Sequence, residues 1–86
     1  MSDVIVRTRY SGPTDSEGAR VWVDPLTASA VARHAKGFPY DYGSSDAHRL
    51  AVEQYASHWS GDGYQVEFLG SHKGGRGNLY RITWAD

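Results

Sequence analysis

The sequence contains no cysteine, which excludes disulfide scaffolds, zinc ribbons and thiol chemistry together and fits a reducing compartment. It also lacks any apolar run approaching the roughly 18 residues of a membrane-spanning helix. The opening residues, Met1-Ser2-Asp3-Val4, carry no basic segment leading into an apolar stretch, so no secretory leader is expected and the expected location is cytoplasmic. Charge of one sign is missing too. Nine Lys and Arg against ten Asp and Glu leave a formal net charge of -1, without the global basic field that many duplex-binding proteins use. Any contact with nucleic acid must come from a local patch. The four histidines, His34, His48, His58 and His72, follow neither H-E-x-x-H nor H-x-x-x-H spacing beside a carboxylate pair, so no metal and no cofactor are expected. Nor does any local motif assemble a nucleophile, a base and an orienting acid, which favours binding over catalysis.

What is present suits one small core. With 86 residues, 40% of them hydrophobic, and three Trp and six Tyr, the chain has room and side chains for a single domain spanning 1–86. Val4, Val6, Thr8 and Tyr10 alternate with Ile5, Arg7 and Arg9, the period-two pattern of a half-buried strand. A segment dense in turn formers, Ser11 to Gly18, leads into a second alternation from Ala19 to Val23, so the two predict a β-hairpin. From Asp24 to Lys36 the sequence reads either as an Ala-rich helix or as an irregular strand ending in Phe38-Pro39-Tyr40, in which Ala28, Ala30 and Ala32 alternate with Ser29, Val31 and Arg33. Asp46 to Trp59 has helical spacing, with His48, Ala51, Val52, Tyr55 and Trp59 on one face. A serine before it can cap free amides, and Asp46 suits the positive end of the dipole. Ser60-Gly61-Asp62-Gly63 ends that helix, and Tyr64–Phe68 and Tyr80–Trp84 alternate as two antiparallel strands. Between them Gly70 to Asn78 reads as a glycine-rich, basic loop. The expected fold is α+β: a small antiparallel sheet of four to five strands with one helix on one face, ordered β-β-(β)-α-β-β.

If the valines of the hairpin point inward, Arg7, Arg9, Arg20 and Trp22 share its outer face. Guanidinium forks with a stacking indole suit phosphate and a base, or an acidic protein surface. An ordinary solvated sheet face dotted with arginine has the same pattern. Lys73 and Arg76 lie in the glycine-rich loop, whose backbone amides and cations can wrap an anion; it lacks P-loop spacing and also reads as a plain hairpin loop. Phe38-Pro39-Tyr40-Asp41-Tyr42 gathers three aromatics around a proline. Such density fixes a loop onto a core, or offers Tyr40 and Tyr42 to a protein partner. His48 is expected to be a structural histidine, hydrogen-bonded beneath the Tyr40–Tyr42 segment.

Two stretches carry a resemblance. Thr8-Arg9-Tyr10-Ser11-Gly12-Pro13-Thr14, with Gly18-Ala19-Arg20-Val21 after it, resembles the K-Y-x-G-P-T-x-x-x-G-x-R-[IV] opening of a family of short, largely uncharacterised proteins of tailed bacteriophages and prophages. Phe38-Pro39-Tyr40-Asp41-Tyr42, followed by Ser44-Ser45-Asp46-Ala47-His48-Arg49-Leu50-Ala51-Val52, is similar to that family's V-P-Y-D-H-x-L-S-x-E-x-N-H-x-x-A-A stretch, with Tyr42 standing where the family tends to have His. The resemblance covers about half the chain. It implies a strand before Phe38 and a phage origin, hence the cytoplasm of a host cell. Small non-enzymatic phage proteins of this size often disarm host defences. The expectation is therefore an inhibitor of a bacterial defence system, anti-CRISPR-like, that binds a host defence protein or nucleoprotein complex through Arg7, Arg9, Arg20, Trp22 and the loop at Lys73 and Arg76. The alternatives are a nucleic-acid-binding accessory protein using the same face, or a homo-oligomer, at its simplest a homodimer, that sequesters a nucleotide signal. None of these involves a membrane.

Overall fold

Alternation gives the first two strands one apolar face each. In the computed structural model, which describes residues 2–12, 18–27, 32, 34–40, 46–60, 63–72 and 77–84, β1 (Ser2–Ser11) and β2 (Arg20–Pro25) pair antiparallel. Val4, Val6 and Thr8 of β1 and Val21 and Val23 of β2 are buried, with Thr8 opposite Val23. β3 (Lys36–Pro39) adds to β2, while β4 (Tyr64–His72) and β5 (Gly77–Trp84) form a second antiparallel pair that joins β1 through β5. The strand order is β3-β2-β1-β5-β4. One helix, α1 (Ala47–Ser60), packs on the sheet, and the fold is α+β.

Asp46 starts the helix as its cap. Its Oδ1 accepts the Arg49 N–H at 3.0 Å, and its carbonyl accepts the Leu50 N–H at 3.1 Å, which satisfies an amide that the first turn leaves unpaired. The cap is thus Asp46 itself, where a serine was expected; Ser44 and Ser45 lie outside the described residues. Ala51, Val52, Tyr55 and Ala56 are buried toward the sheet, and Gln54 and Ser57 face solvent. The Trp84 indole N–H donates to the Ala56 carbonyl at 3.1 Å, and the Tyr55 hydroxyl donates to the His34 carbonyl at 2.6 Å. The polar ends of two large buried aromatics are satisfied in this way, and the first ties β5 to α1. The buried side chains of both layers form one cluster that includes Val6, Val21, Val23, Val52, Tyr55, Ile82 and Trp84. Among the described residues no helix is long and apolar enough to cross a membrane.

Two expectations are adjusted. The third strand lies at Lys36–Pro39, at the Phe38-Pro39 end of the expected irregular strand; Ala32 is buried, and residues 28–31 and 33 lie outside the described residues. Phe38 sets the position of β3. It is buried opposite Val21 and meets Tyr55 edge-to-face at 6.5 Å, a far larger apolar contribution than alanines offer. The second shift concerns the expected loop from Gly70 to Asn78, much of which is strand: β4 runs on to His72 and β5 begins at Gly77. Gly70, at φ 145°, sits where the β4–β5 register slips between Phe68 and Gly70, a bulge geometry that L side chains avoid. Gly77 lies so close to β1 that an added Cβ would stand 1.9 Å from the Thr8 carbonyl oxygen.

Candidate binding face of the sheet

The period of two that buries the valines carries Arg7, Arg9, Trp22 and Asp24 to the opposite face of the sheet. There Arg9 pairs with Trp22 across the strands and Arg7 with Asp24. Arg9 grips the Asp24 carboxylate with both arms of its fork: Nε donates to Oδ2 at 2.6 Å and Nη2 to Oδ1 at 3.1 Å. Arg7 Nη2 reaches the same Oδ2 at 3.3 Å. The Asp24 side chain is only 12% exposed, whereas Arg9 is 52% exposed. The carboxylate therefore lies beneath the guanidinium. The hydrogen bonds that Arg9 donates to Asp24 raise the Arg9 pKa above its ordinary value, with burial opposing them.

Trp22 completes the cluster. The Arg9 guanidinium carbon stands 5.5 Å from the centre of its ring, within cation–π range. The indole lies against the β3 backbone at Gly37, where an added Cβ would come within 3.0 Å of the ring. Arg9 is thus held by a carboxylate and an indole, and Trp22 by a guanidinium and a glycine. Further across the face Arg81 of β5 pairs with Glu67 of β4 at 3.2 Å, an exposed bridge of the kind that contributes little stability.

Asp24 is the residue that sequence reasoning missed. It was assigned to an ambiguous segment, although extending the Arg20, Trp22 alternation by one more step places it on the outer face. Its presence changes the electrostatics. Two guanidiniums share one carboxylate, so Asp24 offsets one of the three positive charges of Arg7, Arg9 and Arg20. Arg20 lies on the same strand, opposite Ser11 and Pro39 and half-buried.

Tyr40 falls elsewhere. Its ring meets Tyr10 edge-to-face at 5.2 Å and packs against the core cluster, and its N–H donates to the Ala19 carbonyl at 2.9 Å. Tyr10 is in phase with Val4, Val6 and Thr8, so this pair belongs to the helix side of the sheet and not to the arginine face. Tyr42, Lys73 and Arg76 lie outside the described residues.

His48 is hydrogen-bonded, but to a different partner from the expected Tyr40–Tyr42 segment. Its Nδ1 is 2.8 Å from Thr8 Oγ1, and that oxygen also accepts the Asn78 N–H at 2.9 Å. The Thr8 hydroxyl also reaches the Asn78 carbonyl at 3.4 Å, so it stands between His48 Nδ1 and both backbone polar groups of Asn78. Burial lowers the His48 pKa, partly opposed by Asp46. Thr8 is fully buried, so the pair joins α1 to β1 and β5 and leaves no hydroxyl open to a substrate. An open groove of about 530 Å³ runs between α1 and the start of β4, lined by Leu50, Glu53, Gln54, Ser57, His58 and Tyr64. Among the described residues no group of three His, Asp or Glu converges as a metal site would require.

Comparison of the chain with protein-family models, with curated proteins and with solved structures found no match.

Proposed function

We propose that this protein is a non-enzymatic binding protein that docks on a partner protein through the open face of its sheet, with Arg7, Arg9 and Trp22 at the centre of contact. The observation that carries this reading is the Arg9 guanidinium held between Asp24 and the Trp22 ring on the face opposite the helix. Arg and Trp dominate binding energies at protein interfaces, and side chains already fixed in place lose little entropy on association. Asp24 offsets part of the positive charge, and the chain as a whole carries -1. Both features favour a protein surface with an acidic contact over a nucleic-acid backbone. The resemblance to short phage proteins supports a bacterial defence protein as the partner, blocked in a stoichiometric complex.

The test compares capture from bacterial lysate by the wild type and by the Arg9→Ala/Trp22→Ala double variant, with nuclease added to half of each sample. One stoichiometric protein, retained after nuclease and lost from the double variant, is the expected result; removing two such anchors weakens a complex by roughly thirtyfold or more. Undiminished capture by the double variant overturns the assignment of this face. Recovery of nucleic acid alone, with affinity falling steeply as salt rises, replaces the protein partner with a polyanion.

A further inference from the structure

The two edges of the sheet are closed by different means. β3 is four residues long, ends in Pro39 and carries the exposed Lys36, all devices that keep an edge from pairing with another chain. β4 has nine residues, Tyr-Gln-Val-Glu-Phe-Leu-Gly-Ser-His, with neither proline nor lysine, and among the described residues it pairs with β5 alone. The register slip before Gly70 leaves Tyr64–Phe68 as its regular stretch. There Tyr64, Val66 and Phe68 alternate with Gln65 and Glu67, a composition prone to strand pairing.

A side chain from α1 occupies the middle of that stretch. Arg49 Nη2 donates to the outward carbonyl of Val66 at 3.1 Å. In an antiparallel ladder every second residue turns its N–H and C=O away from the neighbouring strand, so Tyr64, Val66 and Phe68 together present the free edge, with Val66 at its centre. Arg49 holds this place against the preference of its own helix. It lies in the first turn, its N–H capped by Asp46, where the dipole disfavours a cation. The strand that it reaches accounts for a cation in that position.

We propose that Arg49 keeps this protein a monomer by occupying the backbone acceptor through which a second copy of β4 would pair. Without Arg49 the edge is self-complementary. Two β4 strands paired antiparallel about a two-fold axis at Val66 set each Val66 opposite the other, each Tyr64 opposite a Phe68 and each Gln65 opposite a Glu67. Aromatic then meets aromatic on the helix side, and no like charges face each other on the opposite side. The open groove between α1 and Tyr64 leaves room for the second sheet to approach. In this register each Val66 carbonyl accepts the Val66 N–H of the other copy, and that is the oxygen Arg49 already holds. Pairing therefore strips two guanidiniums of their acceptor and crowds both into one seam, which opposes it. This edge is separate from the Arg9 and Trp22 face, and the inference stands whether or not that face binds a partner.

The test compares the wild type with Arg49→Met, which keeps an aliphatic stem and removes the charged donor, and with Arg49→Lys, which keeps a cationic donor. Light scattering over a concentration series reports self-association, amide exchange on isotope-labelled protein reports where it occurs, and circular dichroism checks folding. The wild type and Arg49→Lys are expected to stay monomeric. Arg49→Met is expected to self-associate roughly tenfold or more tightly, with the amides of Tyr64, Val66 and Phe68 gaining protection as concentration rises. Adding Phe68→Lys, a charge at a half-exposed edge position, to Arg49→Met is expected to restore the monomer. A folded Arg49→Met protein that associates no more than the wild type overturns the proposal, as does association that protects a surface other than β4. Wild-type protein that itself dimerises through β4 overturns it too, since Arg49 then closes nothing.

Discussion

Replacing Gly77 with alanine tests how closely β5 must approach β1. The new Cβ would lie 1.9 Å from the Thr8 carbonyl oxygen, where an ordinary carbon–oxygen contact is about 3.3 Å, so the strands must part by roughly 1.4 Å at this point. Both atoms belong to main chain or are fixed directly to it, and no flexible side chain can absorb the move. Parting the strands also strains the bond from the Asn78 N–H to Thr8 Oγ1 and, through that oxygen, the contact with His48. Overpacking of this kind costs about 1–3 kcal/mol and a lost hydrogen bond about 1 kcal/mol more, giving a loss near 3 kcal/mol. For a domain of this size that corresponds to a fall in Tm of about 12–24 °C. Urea denaturation and calorimetry measure it, with Gly18→Ala as the control: nothing lies within 4 Å of an added Cβ there, and its expected effect is within about 0.5 kcal/mol. A Gly77→Ala protein melting within about 4 °C of the wild type refutes the close approach.

Asp24→Ala is expected to cost about 1–2 kcal/mol in urea denaturation, because it leaves two guanidiniums without their shared carboxylate while the half-exposed Arg9 regains water; unchanged stability would refute a structural role for the pair. Gly37→Ala presses a methyl group against the Trp22 ring and is expected to shift the Trp22 indole N–H resonance at a cost of about 1 kcal/mol; an unmoved resonance would show that the ring does not rest on β3. His48 provides the pH dependence. Its pKa is lowered in the folded protein from an ordinary value of 6.5, so the unfolded chain takes up the proton first. The stabilising contribution of the neutral ring is complete above that value and declines as pH falls through it toward the folded pKa. The stability difference between wild type and His48→Gln is therefore expected to shrink from pH 7.5 to pH 5, and a difference that stays constant or widens would refute the assignment.

Much of the fold was legible because strand and helix periods are local. Val4, Val6 and Thr8, then Val21 and Val23, read directly as inward positions, and Ala51, Val52 and Tyr55 as the buried face of α1. The same alternation places Arg7, Arg9 and Trp22 on one surface, and one further step reaches Asp24. Glycine misled where it served packing. Gly70 and Gly77 look locally like loop residues, yet one occupies a bulge and the other a close strand contact, and each depends on a partner strand that the local pattern does not identify. Tyr40 was illegible for a related reason: a connecting segment has no period, so nothing in it states which side of the sheet its ring will reach.

The sequence by itself determined which side chains leave each strand together, which helix face is apolar, and that no strong net charge surrounds the protein. Tertiary structure alone decided that Arg7 and Arg9 converge on a carboxylate on the neighbouring strand, that Thr8 holds both His48 and Asn78, and that β4 rather than β5 lies at the sheet's edge. These depend on strand order and register. That order places β1 between β2 and β5, an arrangement that lets α1 bury the valines of the hairpin and Ile82 and Trp84 in one core. Periodicity sets the face of each strand, but the choice of neighbours follows from the packing that removes the most apolar surface from water.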